Sequence, residues 1–75
     1  MERYKNLGGD SGVVGYEIGS DFIKVKFESS GKVYVYDYAS AGRDNIEHMK
    51  SLAKVGTGLN AFINKNVNKL YSQIE

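Results

Sequence analysis

From Gly12 onward the hydrophobic residues fall on every second position. Val14, Tyr16 and Ile18 alternate with Gly15 and Glu17, and Gly19-Ser20 supplies turn chemistry. Ile23, Val25 and Phe27 then alternate with Lys24, Lys26 and Glu28. Ser29-Ser30-Gly31 follows as a hairpin loop, with Gly31 suited to positive φ. The next segment, KVYVYDY over 32–38, puts Tyr34, Tyr36 and Tyr38 on one side of a third strand.

At Ser40 the period lengthens. Ile46, Met49, Leu52 and Ala53 recur at helical spacing with Val55 at the margin, which predicts a helix over about 41–55. Ser40 is its expected N-cap and Gly56 its stop, and Gly42 weakens the first turn. After Gly56-Thr57-Gly58 a second helix is predicted, with Leu59, Phe62, Ile63, Val67, Leu70 and Ile74 along one face. Asn66 falls inside that apolar arc, a costly burial unless it finds a partner. Residues 1–11 are polar and aperiodic and are expected to form a flexible arm, leaving 12–75 as a single domain. The order β-β-β-α-α predicts an α+β fold: a three-stranded antiparallel meander followed by two helices packed on one face.

Charge decides which face the helices cover. Glu17, Lys24, Lys26, Glu28 and Asp37 share one parity, so the opposite parity, carrying the three tyrosines, turns inward. Val13, Val33 and Val35 are then expected on the open face. Such a patch, beside an exposed third strand, suits a protein partner or a second copy of the chain.

Composition narrows the function classes. Seventy-five residues with 41% hydrophobic content and a net charge of +1 make one small domain. The absence of cysteine excludes disulfides and thiolate chemistry. No apolar run reaches membrane-spanning length, and MERYKNLGGDSG lacks the apolar core of a secretory signal, so the expectation is a cytoplasmic protein without membrane contact.

Catalytic chemistry is thinly represented. Asp44, His48 and Ser51 have the residue types of a triad, but neighbours on one helix project side by side instead of converging. His48 borders the apolar face and reads as a partly buried structural histidine. Asp44 and His48 alone fall short of a zinc site. We therefore expect no enzyme, no metal and no cofactor. Gly56-Thr57-Gly58 reads first as a helix connector, although the N–H groups of Leu59 and Asn60 beyond it suit an anion.

The outer helical face is more informative. Between His48 and Ile74 there are four lysines, Lys50, Lys54, Lys65 and Lys69, and no carboxylate. Lys54, Asn60, Asn64, Lys65, Asn68 and Lys69 are the candidate nucleic-acid contacts, because lysine and amide side chains suit phosphate and sugar. A plain solvated helix face has the same composition.

Several segments carry a family resemblance. Val14-Gly15-Tyr16-Glu17, Ile23-Lys24-Val25-Lys26-Phe27, the central Tyr34-Val35-Tyr36 and the run from Gly56 to Ile63 occur in order and with compatible spacing. Together they resemble the KTSC domain, a short module found at the C-terminus of some lysyl-tRNA synthetases and as stand-alone bacterial proteins. The chain departs from that pattern in having no proline before the first helix and Gly58 in place of an aromatic. The resemblance implies the fold above and, through the synthetase, a link to RNA. Weak RNA binding by the basic helical face and protein interaction through the open sheet face are both carried forward.

Overall fold

The computed structural model describes residues 1–9 and 12–75. Its class is α+β, as the change of period predicts, but the sheet has five antiparallel strands instead of three. They are β1 (Glu2–Arg3), β2 (Val13–Ile18), β3 (Phe22–Phe27), β4 (Val33–Asp37) and β5 (Gln73–Ile74), and they lie in chain order. The additional strands come from the two chain ends, each only two residues long and so without a periodic signal.

The first of these lies within residues 1–11, the segment expected as an arm. Glu2 and Arg3 pair with Tyr16 and Gly15, and Tyr4 is buried in the core. Leu7 then donates its backbone N–H to the Gly56 carbonyl at 2.7 Å, tying the segment to the helical layer. Asp10 and Ser11, the rest of the expected arm, lie outside the described residues.

Parity is right for most of the meander. Ile23, Val25 and Tyr36 are fully buried, and Tyr16, Ile18, Phe27, Tyr34 and Tyr38 pack around them. It fails at Val13. A bulge between Val13 and Gly15 shifts the register of β2 against β3, so Val13 opposes Phe27 and enters the core. Val35 is outward, as expected, yet only 7% exposed. Lys24 flanks it on β3 and Gln73 on β5, and the Lys24–Glu75 ion pair at 3.0 Å joins the strands on either side. Of the three valines expected on the open face, Val33 alone stays half-exposed.

The helical layer is more broken than predicted. Asp37, at the end of β4, caps a short helix α1 (Tyr38–Ala41), and Gly42 at φ 91° separates it from α2 (Arg43–Val55). Ser40 is therefore not an N-cap. It is the third helical residue, giving its backbone N–H to Asp37 Oδ1 at 2.7 Å while its hydroxyl accepts from the Asp37 N–H at 3.0 Å. The bond from the Ser40 backbone holds the Asp37 carboxyl below its ordinary pKa. Gly56 ends α2 as predicted, in the left-handed region at φ 91°.

The second predicted helix stops early. An α-helical turn, α3 (Leu59–Phe62), continues as a π-helical turn over Ile63–Val67 and ends at Asn68. The chain then reverses: Ser72 donates its backbone N–H to the Val35 carbonyl at 2.6 Å, and Gln73–Ile74 adds to β4. Leu70 and Ile74, expected on the buried helical face, are exposed. Asn66 is exposed rather than buried, and its amide donates to the Phe62 carbonyl one turn back. The core between the layers joins Ile23, Val25 and Tyr36 to Ile46, Met49, Leu59, Ile63 and Val67.

Candidate functional site

The reversal after Asn68 builds a cleft. Its wall is the end of the helical layer, with Ile63, Asn64, Asn68 and Lys69. Its floor is the core-facing side of the sheet at Phe27, Tyr34 and Tyr36, and Tyr71 closes it from the returning chain. Ser29 and Ser30 of the hairpin loop reach the rim, and the open cleft has a volume of about 330 Å³.

The aromatic rings are packed edge to face. Phe27 meets Tyr34 at 5.3 Å between centroids and 88°, and Tyr34 meets Tyr71 at 5.0 Å and 81°. Tyr71 also approaches Tyr36 at 6.3 Å. Tyr36 is only 1% exposed, whereas Phe27, Tyr34 and Tyr71 remain half-buried. Burial pushes the Tyr36 phenol up to about 12, with Tyr34 and Tyr71 adding to the shift. The tyrosines of β4 are therefore core at the centre of the strand and cleft lining at Tyr34, where the helical layer no longer covers the sheet.

The candidate contacts divide around this feature. Asn64, Asn68 and Lys69 come together as cleft lining. Asn60 is half-buried one turn before Asn64, and Lys65 is exposed beside it. Lys54 is exposed in the last turn of α2 and lies outside the cleft lining. Asn45 and Asn66 turn their amides onto carbonyls of their own helices, at Ala41 and Phe62. Among the described residues no such bond engages the side chains of Asn64, Asn68 or Lys69, which leaves them free to meet a ligand.

Lys50, counted in the sequence among the basic half, is not available. It is buried, with Nζ 2.9 Å from Glu47 Oε2, donating to the Ser20 carbonyl at 3.0 Å, and lying 5.7 Å from the Tyr38 ring centroid. Tyr38 donates to the same Glu47 oxygen at 2.7 Å, and that bond raises its phenol pKa. The bonds from Lys50 and Tyr38 lower that of Glu47. This network ties α2 to the turn between β2 and β3.

No triad forms from Asp44, His48 and Ser51. Ser51 donates to the Glu47 carbonyl, and His48 is exposed, not partly buried, with its ring 4.6 Å from that of Phe62. The anion reading of Gly56-Thr57-Gly58 also fails at Leu59, whose N–H is taken by the Tyr4 hydroxyl at 3.2 Å. Among the described residues no three of His, Cys, Asp and Glu gather as they would around a metal. No helix there is long and apolar enough to cross a membrane.

Compared with family models, curated proteins and solved structures, the chain matches none. The site must be read from its own chemistry.

Tyr71 is the residue that the sequence pattern does not single out. Read as one long helix, 59–74 places it away from the tyrosines of β4. The signal lies in Asn64, Asn66 and Asn68, three asparagines within five positions, a residue that favours local backbone bonding over helix continuation.

Proposed function

We propose that this chain is a small non-enzymatic RNA-binding domain of the kind the KTSC resemblance implies. It contacts RNA weakly, chiefly at phosphates, through Lys54, Asn60, Asn64, Lys65, Asn68 and Lys69. The observation that carries this reading is the group of exposed lysines on a stretch free of carboxylates. Lys24 and Lys50 pair with Glu75 and Glu47. Lys54, Lys65 and Lys69 are exposed and, like Lys5, Lys26 and Lys32 elsewhere, have no ion pair among the described residues. They alone of these lie on a stretch, 48–74, that contains no carboxylate. A surface of that kind attracts a polyanion and places amides beside it for sugar and phosphate contacts.

Protein interaction through the open sheet face has lost its main support. Val13 is in the core, Val35 is covered, and β5 occupies the edge of β4 that a partner strand would need. An NMR titration of the chain with short single-stranded RNA at low salt tests the RNA reading. The expected result is fast-exchange shifts concentrated on residues 54 and 59–69. Shifts absent there, or confined to the outer face of the sheet, would overturn it.

A further inference from the structure

Phosphate contacts alone require amides and lysines; they do not require rings. Yet Asn64, Asn68 and Lys69 open onto the same cleft as Phe27, Tyr34 and Tyr71, aromatic residues that line it and are only partly buried. We propose that this cleft holds one unpaired base of an RNA strand, seated against Tyr34 and Tyr71, with Lys69 on the adjoining phosphate.

Four features of the cleft fit that occupant. Every base has a π-face that an aromatic side chain can stack on, and only an unstacked strand offers it. The amides of Asn64 and Asn68 each carry donors and an acceptor, the complement of a base edge. The lining holds Lys69 and no carboxylate, so a phosphate meets attraction and no repulsion. Finally, about 330 Å³ lies at the small end of ligand sites, suited to a single planar group with its sugar rather than to a larger ligand. The inference rests on the RNA reading above and gives it a second component, in which the lysine face tracks the backbone while the cleft holds a base.

The test uses tyrosine emission, since the chain has six tyrosines and no tryptophan. Short single-stranded RNA, an abasic strand of equal length and a free nucleoside monophosphate are titrated at low salt. The intact strand should quench emission and bind about tenfold more tightly than the abasic one, the scale of one base stacked on an aromatic residue. Tyr71→Ala should remove that advantage while leaving abasic binding unchanged. Because Tyr71 also packs on Tyr34, Asn64→Ala serves as a second variant at an exposed position, with the ratio of intact-strand to abasic-strand affinity expected to fall several-fold. Equal affinity for intact and abasic strands would overturn the base site and leave the phosphate-binding reading standing. Binding of neither strand would remove both. A monophosphate that binds as tightly as the strand would overturn the assignment to a strand in favour of a free nucleotide.

Discussion

Tyr36 shows how one residue couples the core to the cleft. It is 1% exposed, it packs against Tyr71, and burial pushes its phenol pKa up to about 12. Truncation to alanine leaves a cavity between the sheet and the helical layer. Tyr36→Ala should therefore cost ~3–5 kcal/mol in chemical denaturation, the scale of large-to-alanine changes in cores. The raised pKa gives a second, independent outcome. Between the ordinary tyrosine value of 10.0 and about 12 the folded protein keeps the Tyr36 proton and the unfolded chain releases it. Stability then falls as pH rises through that window, by about 2–3 kcal/mol in all from this group. Tyr36→Phe cannot ionise, so its denaturation midpoint should decline less than the wild type's across the same range. Equal declines would mean that Tyr36 is not the buried titrating group. Tyr38 also has a raised phenol pKa, but it is present in both proteins and cancels in the difference.

At the scale of elements, the connector between α2 and α3 depends on the N-terminal segment. A Cβ added at Gly56 would sit 2.6 Å from Lys5 Cβ, and Gly56 already lies at φ 91°. Gly58 has a similar φ of 81°, but a Cβ there would meet only Leu52 at an ordinary 3.6 Å. Gly58→Ala should thus cost about 1 kcal/mol for backbone conformation alone. Gly56→Ala should cost clearly more, and Lys5→Gly should bring it down toward the Gly58 value. Denaturation midpoints of the four proteins check this; no rescue by Lys5→Gly would mean that the segment does not press on Gly56. These elements also mark where the sequence is legible. The three long strands, the stop at Gly56 and the inward tyrosines follow from periodicity and charge, because each involves many residues obeying one rule. The bulge at Val13 adds one residue to β2 and reverses the parity argument locally. The pairings of β1 and β5 depend on contacts distant in sequence, and two-residue strands carry no period of their own. The cleft was half legible: Asn64, Asn68 and Lys69 stand out by residue type, but their meeting with Tyr34 and Tyr71 depends on the chain reversing after Asn68.

For the molecule as a whole, the sum of charges is a poor guide to what it attracts. A net +1 is compatible with a basic face because the carboxylates lie elsewhere: Glu75 neutralises Lys24, Glu47 neutralises Lys50, and residues 48–74 contain no acid. Within that acid-free stretch three exposed lysines, Lys54, Lys65 and Lys69, are placed to displace counterions from RNA. For a single strand each neutralised phosphate contributes about −0.7 to the slope of log affinity against log salt, so the full set predicts a slope of about −2. Replacing Lys65 and Lys69 together by alanine should reduce it to about −0.7, with little change in stability because both side chains are exposed and unpaired. Base stacking is insensitive to salt by comparison, so Tyr71→Ala should lower affinity at every salt concentration without altering the slope. Anisotropy titrations over a salt series separate the two effects. A slope unchanged in the double lysine variant would place the phosphate contacts on another surface.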